Sequence, residues 1–449
     1  MKQTLRFLLA ILILWQVSIF TASAQEPAKP VASMTLEDGD SLVFLGDSIT
    51  HQCLYTQYVE DYLYTRFPAK RFQIHNAGVG GARAWDALQR FDKDVAAFKP
   101  KYVTILLGMN DGEYQPFNRE VFDTYQEDMS LLLEKLDGIG TTSILMTPTM
   151  FDSQAPNIRE RTRQPEILEE YNSVMAYFGT WLREVATDEG RGFVDMWSPL
   201  NNITLEERKK EAGFTLIRDG IHPDSPGQVV MATAIINDMR MPKAVSTIRI
   251  LTGGKKPTAT ATGGELSDLL QEGDTLTFTW TAKSLPWVVP EEAQLGAELT
   301  RLGHRYSREA VEIHGLAPGR YELSIDGTVV GEYSHAQLGR HIELQSNSKT
   351  PQYQQALKIA EANKERNQGP VRGLRNQWSQ FQRYARIKRQ AEANPDNEDL
   401  AKQLAEWSKW IEGMDERVAE LIAQARTMED KIFEINKPHA RKYVLRKVK

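Results

Sequence analysis

The chain has 449 residues, enough for two or three domains, and carries a formal net charge of −6 with 25% charged residues. A mildly acidic balance of this kind is not built for nucleic acid or for an anionic membrane surface. The single cysteine, Cys53, excludes an internal disulfide and a thiolate metal site.

The N-terminus reads Met-Lys-Gln-Thr-Leu-Arg, then an apolar stretch from Phe7 to Ile19, then Ala22-Ser-Ala24 before Gln25. A positive head, an apolar middle and a small-x-small cleavage site make residues 1–24 a secretory signal peptide, followed by a linker over 25–37. The apolar stretch is short and wrongly flanked for a membrane span, so no stable membrane insertion is expected once it is cleaved, with an uncleaved anchor as the alternative. Cleavage removes Lys2 and Arg6 and takes the charge from −6 to −8. These features point to a secreted or periplasmic protein of a bacterial envelope.

Over residues 38–243 strand-like and helix-like patterns alternate. Strands are expected at about 41–46, 71–76, 102–107, 142–147 and 192–195, and helices at about 52–66, 84–97, 118–137, 164–189 and 224–240. Such alternation predicts an α/β domain, a parallel sheet covered by helices on both faces. Three strand ends in succession carry small or turn-forming residues, as a site at the carboxyl edge of a parallel sheet requires.

The first strand runs into Gly46-Asp47-Ser48, which sets a hydroxyl on the following turn. A serine becomes a nucleophile only when a base takes its proton and a cage of donors receives the oxyanion. The segment Asp219-Gly-Ile-His222 offers the base: an Asp three residues before a His on one tight turn can fold back onto Nδ1 and leave Nε2 free. Glu332-x-x-His335 has the same spacing with no chemistry around it, so the spacing alone is weak. After the second strand, Asn76-Ala-Gly78-Val-Gly80-Gly81 offers a bare backbone N–H at Gly81, and after the third, Gly108-Met-Asn110-Asp111 offers the Asn110 side-chain amide. With the Ser48 N–H these make three donors, each worth ~3 kcal/mol of barrier if preorganised.

In order and approximate spacing, Gly46-Asp47-Ser48, Asn76-x-Gly78-x-x-Gly81, Gly108-x-Asn110-Asp111 and Asp219-x-x-His222 resemble the four diagnostic segments of the SGNH, or GDSL-type, serine esterases. The resemblance covers about residues 38–243. It implies a flavodoxin-like three-layer α/β sandwich, with Ser48 as nucleophile and oxyanion donor, Gly81 and Asn110 as the other donors, His222 as base and Asp219 as its orienting acid. Adjacent glycines leave the backbone donor open between Gly80 and Gly81, and Gly81 is preferred because it lies five residues after Asn76. The expected chemistry is hydrolysis of carboxylic esters through an acyl-enzyme, with no metal and no organic cofactor. Export without an apolar lid-like segment puts acetyl groups on carbohydrate first among substrates. A lipase-like or thioesterase-like acylhydrolase comes next, and a non-catalytic glycan-binding or scaffold protein is the reading from another class.

Other readings of the same residues are weaker. Gly78-x-Gly80 is not a dinucleotide fingerprint, since the third glycine position is Arg83. Asp47 is expected to hold its turn as a local acceptor, and His51 and His75 to be structural. In the long loop beyond the fourth strand, Met150, Phe151, Arg159 and Arg163 are candidates for specificity, with a solvated loop position the favoured reading for each taken singly.

After Met241-Pro242, short β-like runs separated by Gly and Pro turns mark a small β-rich domain over 244–345, with an Asp326-Gly327 hairpin turn. Residues 346–449 read as a helical hairpin with a basic, solvated tail. One seam runs from Leu400 through Leu404, Trp407, Ile411 and Met414 to Ile435, and a shorter one through Leu374, Trp378, Phe381 and Ala385. Such a hairpin has three uses open to it: docking on its own enzyme domain, self-association between chains, or holding another partner.

Overall fold

The computed structural model describes residues 29–448. The expected signal peptide and the first residues of the linker lie outside the described residues. Among those described, no helix is long and apolar enough to cross a membrane.

A five-stranded, wholly parallel sheet is built from β1 (Ser41–Gly46), β2 (Gln73–Gly78), β3 (Tyr102–Leu106), β4 (Thr142–Met146) and β5 (Gly192–Val194), in the order β2-β1-β3-β4-β5. It is crossed by α1 (Ser48–His51), α2 (Leu54–Arg66), α3 (Ala84–Asp94), α4 (Arg119–Gly138), α5 (Pro165–Asp188), α6 (Trp197–Arg208) and α7 (Ser225–Asp238). The central strand explains the layering. Along β1, Leu42 and Phe44 point into a core shared with α2, α6 and α7, whereas Val43 and Leu45 point into a second core shared with α3, α4 and α5. Every residue of β1 is buried. The three-layer α/β sandwich follows, and the strand order reverses between β1 and β3, where a doubly wound sheet opens a crevice at its carboxyl edge.

The helix expected at about 52–66 is found as α2, starting at Leu54. Cys53 takes a left-handed conformation (φ 59°) between α1 and α2, so Ser48 opens its own one-turn helix.

Two further sheets follow. A mixed one has the order β13-β10-β6-β7, from β6 (Ala244–Leu251), β7 (Thr258–Thr262), β10 (Arg308–His314) and β13 (Ile342–Glu343). An antiparallel one has the order β12-β11-β14-β9-β8, from β8 (Gly264–Glu272), β9 (Thr275–Ala282), β11 (Arg320–Ile325), β12 (Thr328–Ser334) and β14 (Ala440–Lys447). Asp326 and Gly327, both at positive φ, turn β11 into β12, as a two-residue hairpin requires. Short helices α8 (Gln294–Thr300), α9 (Leu302–Tyr306) and α10 (His335–Arg340) interrupt the strands. The segment around α8 and α9 does not stay within the β region: Trp287, Val289, Leu302 and Tyr306 join the hydrolase core, with Trp287 edge-on to Tyr62 at 5.4 Å.

The helices α11 (Pro351–Arg366), α12 (Arg372–Ala393), α13 (Glu398–Ile411) and α14 (Met414–Ile435) do not form one continuous seam, because Gly413 (φ 65°) breaks the second run. Of the α13 apolar residues, Leu400, Leu404, Trp407 and Ile411 are half-buried, Trp410 is exposed and none is fully buried, while α11, α12 and α14 lie against the sandwich. Arg366 donates to both oxygens of buried Glu60 (3.1 Å each), and Asn363 to Asp61 (2.8 Å), so the polar residues of α2 are covered by α11. The basic tail corrects the expectation of a solvated segment: it is β14, inserted between β9 and β11.

Candidate active site

Ser48 stands at the carboxyl end of β1, where the chain must turn sharply. Asp47 caps α1 by accepting the Ile49 N–H at 2.9 Å, the local role its position suggested. Gly46 and Gly78 are small of necessity. A Cβ on Gly78 would stand 2.4 Å from the His51 N atom, and one on Gly46 2.1 Å from Thr50 Oγ1. The close approach of α1 to β2 that these glycines allow sets the serine beside the loop after β2.

Asp219 and His222 share one turn before α7. Asp219 Oδ1 accepts the backbone N–H of Ile221 (3.0 Å) and of His222 (2.8 Å), and Gly220 takes φ +82° to close it. This leaves Asp219 Oδ2 2.7 Å from His222 Nδ1, and His222 Nε2 2.8 Å from Ser48 Oγ, across 174 positions of sequence. Burial works to raise the Asp219 carboxyl, but the hydrogen bonds from the His222 ring and backbone win and hold it well below the usual carboxylate range. With Asp219 ionised, the tautomer with Nδ1–H is favoured, and Nε2 is free to accept from the Ser48 hydroxyl.

Gly80 and Gly81 form the centre of a turn closed by the Ala82 N–H on the Val79 carbonyl (3.1 Å), with Gly81 at φ +70°. The Gly80 N–H donates to His51 Nδ1 at 3.1 Å. Burial, reinforced by Arg375, pushes the His51 ring down to about 4, so near neutral pH it is uncharged and can accept, and its Nε2 lies 3.2 Å from Asn376 Oδ1. Among the described residues the N–H groups of Ser48 and Gly81 have no hydrogen-bond partner. Asn110 Nδ2 makes two long contacts, 3.3 Å to Asp47 Oδ2 and 3.2 Å to the Ala82 carbonyl, while its Oδ1 accepts from Tyr114. Burial pushes Asp47 up to about 6 and Asp111 up to about 7, although Asp111 accepts the N–H groups of Ala84 and Gly108.

Gly81 and Asn110 border an open cleft of about 1160 Å³ whose other walls include Trp85, Tyr114, Arg161 and Arg389. Its arginines are engaged. Arg386 pairs with Asp86, Arg83 with Glu113, Arg389 lies 4.5 Å from the Trp85 ring centre and Arg161 5.3 Å from that of Tyr114.

The loop candidates divide. Met150 and Phe151 are buried, Phe151 against Tyr171, so the expectation that they shape specificity is corrected: they are core. Arg163 donates to the Ile158 carbonyl and braces its own loop, whereas Arg159 reaches Asp219 Oδ2 at 3.4 Å. His75 is buried against Asp94 and stacked on Phe98. Missed by sequence reasoning were three residues of α12: Asn376, which reaches His51 on α1, and Gln382 and Arg386, which reach the loop after β2. The only signal for them was that polar residues interrupt a helix whose apolar seam accounts for one face alone.

A parallel α/β sandwich with a Ser, His and Asp in series at its carboxyl edge defines a hydrolase of the SGNH class. Residues 44–230 match the GDSL-like Lipase/Acylhydrolase family, and the protein is a carboxylic ester hydrolase. An acetylxylan esterase of Geobacillus stearothermophilus is 26% identical over 228 residues, 46% of this chain and 96% of that protein. A gut microbial diltiazem-metabolizing enzyme of known structure superimposes with a TM-score of 0.75 at 26% identity, over 93% of this chain and 99% of its own. That likeness takes in the β sheets and C-terminal helices as well as the sandwich.

Proposed function

We propose that the protein is a secreted serine esterase that removes small acyl groups, acetyl first, from a carbohydrate or similarly polar alcohol. The observation that carries the reading is the unbroken series from Asp219 Oδ2 through His222 to Ser48 Oγ, at 2.7 and 2.8 Å, beside the polar cleft at Gly81 and Asn110.

In this mechanism Ser48 Oγ attacks the ester carbonyl as His222 Nε2 takes its proton, and Asp219 stabilises the imidazolium. The N–H groups of Ser48 and Gly81 receive the oxyanion, joined by an Asn110 N–H that exchanges its long contact with Asp47 or Ala82 for the new charge. His222 returns the proton to the leaving alcohol, and a water then repeats the sequence on the acyl-enzyme. The cleft suits a polar, uncharged alcohol, since its arginines are matched by carboxylates or aromatic faces and its walls present hydrogen-bonding groups. The acetylxylan esterase relative supports the same choice. Secretion rests on the charged, apolar and small-residue succession of residues 1–24.

Hydrolysis of p-nitrophenyl acetate, butyrate and octanoate by the parent and by Ser48→Ala tests the mechanism, with acetate release from acetylated xylan testing the alcohol. Turnover that falls with acyl length and vanishes in Ser48→Ala is expected. Activity that survives Ser48→Ala would rule the mechanism out.

A further inference from the structure

The Gly80–Gly81 peptide is the most conformationally free unit near the serine, and it is held from outside the hydrolase domain. With Gly81 at φ +70° and Gly80 outside the positive-φ region, the turn from Val79 to Ala82 is of type II. Type I and type II turns differ chiefly by a flip of the central peptide, and two glycines offer little steric resistance to that flip. A Cβ on Gly81 would meet nothing within 4 Å, so packing does not fix the plane either. The flip matters because a trans peptide points its C=O and N–H in opposite directions. In one orientation the Gly81 N–H faces the site; in the other the Gly80 carbonyl oxygen takes its place and would repel an oxyanion.

Gln382 of α12 holds this peptide in the first orientation, and Arg386 of the same helix holds the next one. Gln382 Nε2 donates to the Gly80 carbonyl at 2.9 Å, and Arg386 Nη2 donates to the Gly81 carbonyl at 2.7 Å while its guanidinium is paired with Asp86 at 2.6 and 2.8 Å. Together with the Gly80 N–H on His51, every backbone polar group of the pair is committed except the Gly81 N–H. Gln382 is buried, and its Oε1 has no hydrogen-bond partner among the described residues. An amide in that setting contributes through its donor and not its acceptor, which is the half that touches Gly80.

We infer that Gln382 is a positioning residue for the oxyanion donor: by bonding the Gly80 carbonyl, the C-terminal helix α12 locks the Gly81 N–H towards Ser48, so the helical region completes the active site. The inference rests on the serine esterase reading above.

The test is Gln382→Met, of similar size without the donor, with Gln382→Glu as a second variant of the same shape should the first fail to fold. Steady-state kinetics on p-nitrophenyl acetate would be compared with the affinity for phenylboronic acid, whose tetrahedral adduct on serine reaches for the oxyanion donors. Expected is a fall in kcat of about tenfold, below the roughly 10²–10³ of losing a donor outright. KM should stay within about twofold, boronate affinity should weaken by the same factor as kcat, and the shape of the pH profile should be kept. A helix that merely stabilised the fold would lower the melting temperature without separating kcat from KM. If Ser48→Ala is inactive and both Gln382 variants keep kcat within twofold, the inference is overturned while the esterase reading stands. If Ser48→Ala remains active, both fall.

Discussion

Arg375 of α12 and Asp94 at the end of α3 meet in two parallel hydrogen bonds of 2.8 Å each, 281 positions apart in sequence and with no exposure of either side chain. Asp94 is also bonded by Arg90 Nη1 (2.5 Å) and lies 2.9 Å from His75 Nε2, while Arg90 Nη1 and Nη2 reach the carbonyls of Ala77 and Gly46. Those carbonyls lie near the ends of β2 and β1, just before the glycine turn and Ser48. The C-terminal helix is thus tied to the backbone that presents the site. Burial alone would raise the Asp94 carboxyl, yet Arg375 and the other partners hold it far below the usual carboxylate range.

Removing Arg375 leaves a buried carboxylate short of its bidentate partner. Arg375→Met is expected to cost about 3–5 kcal/mol of unfolding free energy, as measured by urea denaturation. Because the folded Asp94 value lies below the unfolded one, its contribution is present above the unfolded range near 4 and lost as pH falls. The difference between parent and variant should therefore be larger at pH 7 than at pH 3.

Asp219 orients His222 by the turn they share as well as by charge. In Asp219→Asn the amide can keep the backbone hydrogen bonds at Oδ1 but would present an N–H to Nδ1, favouring the tautomer that puts the proton on Nε2. The expected result is an intact fold and a loss of about 10⁴ in kcat on p-nitrophenyl acetate. Arg159→Ala, which removes only an exposed 3.4 Å contact to the same carboxylate, should change kcat by less than about threefold.

Glu309 on β10 supplies a pH test of stability away from the site. Burial pushes its carboxyl up to about 7 against the favourable effects of Gln352 and Arg66, and Oε2 has no partner among the described residues. A folded value above the unfolded one means that the folded protein holds a proton the unfolded chain releases. Stability from this group is complete below about pH 4.5 and is lost as pH rises through 7. Glu309→Gln should therefore be more stable than the parent at pH 8, by on the order of 2–3 kcal/mol, and close to it at pH 4.5. Urea midpoints across that range measure the difference, and a pH-independent offset would count against the assignment.

What could be read in the sequence was what is local in it. Ser48, Gly81 and Asn110 each follow a strand, and Asp219 and His222 sit on one turn, so short motifs were enough to single out residues that the fold brings to one edge of the sheet. The alternation over 38–243 gave the sandwich for the same reason, because β1 buries alternate residues in two cores. The clamp from α12 was not legible. Gln382 and Arg386 lie off the apolar seam of their helix, and nothing in a one-dimensional pattern distinguishes a polar residue facing solvent from one facing another domain 300 positions away. Met150 and Phe151 were misplaced because a long polar segment read as loop, whereas its start is anchored in the core by Tyr171.

The C-terminal strand carries the same lesson into a prediction. The six cations from Lys437 to Lys449 read as a solvated tail, but alternation also places Tyr443 and Leu445 on one face, and both are buried. Tyr443 stacks on Phe278 at 4.8 Å, and the cationic residues turn outward or pair, as Arg441 does with Asp326 at 2.9 Å. Since β14 lies between β9 and β11, deleting residues 437–449 would leave two unpaired strand edges in the middle of a sheet, which invites aggregation. The truncated protein is expected to lose most of its soluble yield, whereas Lys442→Ala and Lys447→Ala should melt within a degree or two of the parent. A truncated chain as soluble and as heat-stable as the parent would show that the strand contributes nothing to the sheet it completes.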